Sequence, residues 1–103
     1  MNASAQEREV LYAKLNLETA TMPWRELQRY FASGNIISVT RDVDMVRVAV
    51  MMAVDDVAQV SRLLGGGQIG RVTDGQAQAW FDADTVLWTV VVKPWILVQA
   101  GKY

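Results

Sequence analysis

Two stretches constrain the fold more than any others: "MVRVAVMMAV" at 45–54 and "TVLWTVVV" at 85–92. Both are apolar at nearly every position, so whatever they form must be covered on both sides. In the first, Val46, Val48, Val50, Met52 and Val54 alternate with Met45, Arg47, Ala49, Met51 and Ala53. One face is lined with small residues on which a helix could pack closely. The alternation predicts an interior strand, and a buried helix is the rival reading of any such run. The second stretch predicts another buried strand. Pro94 must break or bend it, because proline cannot donate to a ladder. "WILVQ" then continues as a further strand or as the second limb of a bent one.

The remaining elements are marked by helix-end chemistry. Ser4 followed by Glu7 fits the reciprocal capping pattern, which opens a helix over about 5–19 with Val10, Leu11, Leu15 and Leu17 on an apolar arc. Pro23 suits the first turn of a second helix, where its missing N–H costs nothing. Trp24, Leu27, Tyr30 and Phe31 follow at helical spacing, and Gly34 stands where a left-handed cap is expected. "NIISVT" reads as a strand and "RDVD" as a polar turn. Asp55 or Asp56 can cap a third helix carrying Val57, Val60, Leu63 and Leu64. "QIGRVT" predicts a short strand. Thr73 with Gln76 opens a last short helix bearing Ala77, Trp80 and Phe81. The expectation is one α+β domain over 1–103: two N-terminal helices, then a mainly antiparallel sheet with two interleaved helices.

At 103 residues such a chain buries roughly 60–70% of its unfolded surface and needs no disulfide or metal to fold. It contains no cysteine and no histidine. That removes thiol nucleophiles, the commonest general base and the commonest transition-metal ligands together. No metal, cofactor-binding or catalytic residue is expected. Ten basic and eleven acidic residues balance to a net charge of −1, which makes no electrostatic case for nucleic acid or an anionic membrane. The polar N-terminus is unlike a targeting peptide, and the longest apolar run is too short to span a bilayer. The expected setting is the cytoplasm. Apolar residues reach 51%, a high share for so small a domain, so a self-association surface is expected.

Gly65, Gly67 and Gly70 match the spacing G-x-G-x-x-G. A dinucleotide fingerprint needs a strand before the first glycine and a helix after the last, so that helix N–H groups face the phosphates. Here a helix precedes the glycines and an extended segment follows. The end of a helix presents carbonyl oxygens, which repel phosphate. Gly65–Gly67 therefore read as a helix terminus with one φ > 0 residue.

The aspartates pair as Asp42 with Asp44, Asp55 with Asp56 and Asp82 with Asp84, each beside an expected boundary where Asp caps or turns the chain. Of four tryptophans, Trp24, Trp80 and Trp88 read as core. Trp95, just past Pro94, is the candidate for an exposed interaction residue. Arg25 and Arg29 lie on the polar face of the second helix. Arg47 interrupts an apolar run, so it either pairs with a buried carboxylate or marks a sheet edge. Trp95, Arg47, Arg25 and Arg29 are the candidate interaction residues.

"LNLETATMPWRELQRYFASG" at 15–34 and "LWTVVVKPWILVQ" at 87–99 resemble the signatures of a family of small uncharacterised bacterial proteins, a domain of unknown function. The resemblance extends from about residue 10 to residue 99 and implies a bacterial, single-domain, cytoplasmic protein. It brings no activity, ligand or catalytic residue. The function expected is a non-enzymatic module acting as a homodimer or larger homo-oligomer, or binding an unidentified protein partner. The alternative is a small-ligand-binding protein or an enzyme built on Asp and Arg.

Overall fold

The computed structural model describes residues 3–101. Among them, α1 (Ala5–Glu18), β1 (Ala20–Pro23), α2 (Trp24–Ala32), β2 (Ile36–Val39), α3 (Met45–Ala53) and α4 (Val57–Gly65) make up the first part. β3 (Ile69–Arg71), α5 (Asp74–Asp82), β4 (Val86–Val92) and β5 (Trp95–Ala100) complete the domain.

The helix starts follow the capping chemistry. Glu7 N–H donates to Ser4 Oγ at 3.0 Å while Ser4 N–H donates to Glu7 Oε1 at 2.9 Å. Thr73 and Gln76 repeat the arrangement at α5, with Gln76 N–H donating to Thr73 Oγ1 at 3.1 Å. Gly34 at φ +78° closes the turn after α2. Pro23 lies one residue earlier than expected: it ends β1 and stands at the N-cap of α2.

The strands form one five-stranded sheet in the order β1-β4-β5-β2-β3. Three neighbouring pairs are antiparallel and the central β2·β5 pair is parallel, so the sheet is mixed. Both edge strands are short, which limits the unpaired backbone each offers to another chain. Pro94 does not bend a single strand. Lys93 and Pro94 make the turn of a β4–β5 hairpin, in which Val92 opposes Trp95 and Trp88 opposes Gln99.

Helices cover both faces. Leu15 of α1 and Met45, Val46, Val48, Ala49 and Val50 of α3 pack with Ile37, Val39, Val90 and Leu97 on one side. Trp24 and Leu27 of α2 and Ala77 of α5 pack with Ile36, Leu87, Ile96 and Val98 on the other. The alternation along β5 explains the division: Leu97 points one way, and Ile96 and Val98 point the other.

The expected strand at 45–54 is helix α3 instead. The run is so uniformly apolar that a period of 2 and a period of 3.6 fit it equally well. What decides the matter is Asp44, whose Oδ1 accepts from Val46 N–H at 3.0 Å and from Arg47 N–H at 3.3 Å, an N-cap at the head of the run. Four helices, α2 to α5, therefore lie between strands rather than two, because β1 separates the two N-terminal helices and α3 replaces an expected strand. Nor does α1 bury its whole apolar arc: Leu15 is buried, while Val10 and Leu17 face outward.

Candidate functional site

Two surface features stand out, and different elements build them. The first is a polar cleft of about 270 Å³ where α1, the head of α3 and the β4–β5 hairpin meet. Tyr12, Asn16 and Thr19 come from α1 and its end, Asp44, Met45 and Val46 from the start of α3, and Trp88 and Gln99 from facing strand positions.

Gln99 is only 4% exposed, yet it is fully tied on one side. Its Nε2 donates to Thr40 O at 2.8 Å and to Val43 O at 2.7 Å. Two carbonyl partners require the amide nitrogen there, which fixes the orientation of the group. The loop leading into α3 is thereby pinned to β5.

Asp44 is shared between two helices. Its Oδ1 caps α3, and its Oδ2 accepts from the Tyr12 hydroxyl at 2.7 Å. That hydrogen bond, aided by burial and by the Asp44 charge, holds the Tyr12 hydroxyl above the ordinary tyrosine value. Arg47 lies 4.2 Å from the centre of the Tyr12 ring and donates to Glu9 Oε2 at 2.7 Å.

The second feature is an apolar groove of about 340 Å³ between the α3–α4 corner and the tip of the hairpin. Met51, Met52, Val57, Val60, Val92, Pro94 and Trp95 give its apolar lining, with Asp55, Asp56, Ser61 and Lys93 also on its walls. The α4 sequence "VAQVSRLLG" has no buried residue. Val57 is 63% exposed and Leu64 51% exposed, one turn pair apart on the same side of the helix.

A family model described as "Protein of unknown function (DUF2288)" matches residues 10–100. The chain belongs to this family. A similar solved structure, the NMR solution structure of PA1075 from Pseudomonas aeruginosa, is 37% identical. That match covers 100% of this chain and 95% of that one, with a TM-score of 0.80. Among curated proteins, none matches.

In this DUF2288 chain the four candidate interaction residues are dispersed. Trp95 lines the groove, with the Arg71 guanidinium 5.7 Å from its ring centroid. Arg47 sits on α3, not in a strand, and pairs with the exposed Glu9 rather than with a buried carboxylate. Arg25 pairs with Asp84 at 3.1 Å and lies over Phe81 at 4.3 Å. Arg29 donates to the hydroxyl of its neighbour Tyr30 at 2.8 Å. These last two lie on the α2–α5 side, away from both features.

The aspartate pairs divide the work of chain turns. Asp44 and Asp56 cap α3 and α4, Asp55 at φ +58° and Asp84 at φ +53° take left-handed positions just after α3 and α5, and Asp42 accepts from Thr40. Asp82 accepts from Gln78 within α5. Among the described residues, no group of three carboxylates forms a possible metal site. No helix among them is long and apolar enough to cross a membrane.

The glycines end α4. Gly66 N–H donates to Arg62 O, Gly67 N–H to Leu64 O and Gln68 N–H to Leu63 O, at 3.0, 3.2 and 3.0 Å. The amides that would have to cradle a phosphate are already closing the helix.

Sequence reasoning missed Tyr12, Gln99 and the site role of Trp88. Trp88 was expected in the core, but it is half-buried on the cleft wall. The signal that could have pointed to Gln99 is a carboxamide inside an otherwise apolar strand, since a buried polar group needs partners.

Proposed function

We propose that this protein is a non-catalytic binding module that acts as a homodimer, closed through the outer face of α4. One observation carries this reading: α4 has no fully buried residue, and while Val60 and Leu63 pack partly against the core, Val57 and Leu64 stay exposed on its outer side. Helices in small domains owe most of their stability to burying such a face. The stripe is also self-complementary. Val57 and Leu64 are centred on Val60 and Ser61, so an antiparallel copy sets Val57 against Leu64 of its partner. The small Ser61 at the crossing point lets the two helices approach. The groove with Trp95 at its wall continues this surface, and tryptophan is a frequent anchor of protein interfaces.

The relative from Pseudomonas aeruginosa supports a bacterial protein, and the lack of cysteine fits a reducing cytoplasm. Sedimentation velocity at micromolar concentration tests the proposal. The wild type is expected to run as a dimer. The double variant Val57→Asp, Leu64→Asp is expected to run as a monomer with an unchanged fold, since both side chains are exposed in a single copy. A monomeric wild type at high concentration overturns the reading.

A further inference from the structure

A groove of about 420 Å³ between α2 and α5 lies on the opposite face of the sheet from α3 and α4, so it is independent of the α4 reading. We propose that it binds a flat, neutral heterocycle of the lactam class. Trp24 Nε1–H donates to the ring carbonyl, and the Gln28 carboxamide pairs with the adjoining C=O and N–H edge.

Trp24 lines this groove although the residue is 0% exposed. Its Nε1 is buried and has no hydrogen-bond partner among the described residues. The indole meets Trp80 edge-on with ring centroids 5.2 Å apart, and lies tilted against Phe31 at 5.6 Å. Neither of those rings carries an oxygen to accept its hydrogen. Buried tryptophans ordinarily satisfy this group, so an acceptor that reaches it recovers the hydration it lost on folding. Indole nitrogen only donates, so the ligand atom facing it must be an acceptor.

Gln28 governs the approach. A helical side chain covers the surface over the turn before its own Cα, which puts Gln28 across Trp24, one turn earlier on α2. Gln28 is exposed, and its carboxamide has no partner among the described residues, so it is free to swing off the indole and pair with what enters. A carboxamide offers a donor and an acceptor side by side, the complement of a lactam edge.

The walls and the charge set the rest. Phe31 and Phe81 supply ring surface from either helix, which suits a flat ligand. Among the described residues the lining carries one charge, the Asp74 carboxylate. The Arg25 guanidinium over the Phe81 ring is held by Asp84 at 3.1 Å. A carboxylate ligand is therefore disfavoured, and a neutral carbonyl is the acceptor that fits. The volume falls within the range of about 300–1,000 Å³ usual for small-molecule sites.

Titrating the isotope-labelled full-length protein with carbostyril, a two-ring lactam, and following the indole N–H signals tests the site. The Trp24 signal is expected to move downfield and to saturate. Quinoline, which lacks the carbonyl, and quinaldate, which carries a carboxylate instead, are expected to bind roughly tenfold more weakly, the loss of one hydrogen bond to a buried donor. Gln28→Leu keeps a good helix former at an exposed position, so it should weaken carbostyril severalfold with the fold intact. The proposal is overturned if the Trp24 signal stays in place or moves without saturating, as it would were its hydrogen already spent on the Trp80 ring. It is equally overturned if quinoline or quinaldate binds as tightly as carbostyril, or if Gln28→Leu binds carbostyril as the wild type does.

Discussion

Gly67 N–H donates to the Leu64 carbonyl at 3.2 Å with Gly67 at φ +74°, a left-handed turn that closes α4 and aims the chain at β3. A Cβ is penalised in that conformation, so Gly67→Ala should lower stability by about 1 kcal/mol. Gly65 is helical and has open space where a Cβ would go, so Gly65→Ala should be neutral or stabilising by up to about 1 kcal/mol. A Cβ at Gly66 would meet Gln68 Oε1 at 3.2 Å and Arg62 O at 3.4 Å, which places its cost between the two. Thermal melts of the three variants rank them. NAD or ATP should leave every melting temperature where it was, and a nucleotide-dependent rise would contradict the assignment of this loop.

That loop was legible because helix ends are written in local chemistry. Ser4 with Glu7, Thr73 with Gln76, Asp56, Gly34 and the glycine run each act within a few residues of where they stand. What could not be read were facts of pairing. β1 is four residues long, and its identity as a strand comes from Ala20 opposing Thr89 and Pro23 opposing Val86 on a strand some seventy residues later. The cleft depends likewise on Trp88 and Gln99 being register partners, and on α1 crossing the head of α3. Residues 45–54 failed for another reason. Valine and methionine on every side erase the periodicity that separates strand from helix, and Asp44, the cap that decides it, stands in sequence inside the polar turn "RDVD".

Tyr12 ties α1 to α3 through a solvent-exposed hydrogen bond, so Tyr12→Phe should cost about 0.5–1 kcal/mol, less than a buried bond to a charged group because solvent screens it. The folded state raises the pKa of this hydroxyl and so holds back its ionisation. Its contribution is therefore fully present below about pH 10, the ordinary unfolded value, and is lost as pH rises through the folded one. Denaturant melts between pH 8 and 11 should show a steeper alkaline decline for the wild type than for Tyr12→Phe. Parallel curves would contradict the role of this bond.

Acid acts with the opposite sign. Asp56 is held below the usual carboxylate range by the Gln59 side chain, the Gln59 N–H and Arg8, and Glu7 by the Ser4 backbone and hydroxyl. The folded protein thus binds fewer protons than the unfolded chain near pH 4. The stabilisation is present above about pH 4 and disappears as pH falls through the folded values. Urea melts from pH 7 to 3 should hold steady and then drop below pH 4. Asp56→Asn, which preserves the cap, should soften that drop; an identical acid limb in the variant would argue against Asp56 as a source.

Trp95 offers a test of the groove that spares α4 itself. The side chain is partly buried and packs against the core that includes α3, β4 and β5, so Trp95→Ala should lower the melting temperature modestly. Its effect on self-association should be larger, at least a tenfold rise in the dimer dissociation constant by sedimentation equilibrium, as expected when an interface tryptophan is truncated. An unchanged dissociation constant would confine the interface to α4.

The most direct measurement is an isotope-filtered NOE experiment on a one-to-one mixture of labelled and unlabelled chains. Val57 and Leu64 lie seven residues apart on one helix, a rise of about 10 Å, so their methyl groups cannot meet within a single copy. In an antiparallel α4 dimer they meet across the two-fold axis. The account predicts intermolecular NOEs between Val57 and Leu64 methyls, accompanied by contacts from Ser61 to its own counterpart. Intermolecular NOEs confined to another face, or none at all at millimolar concentration, would contradict it.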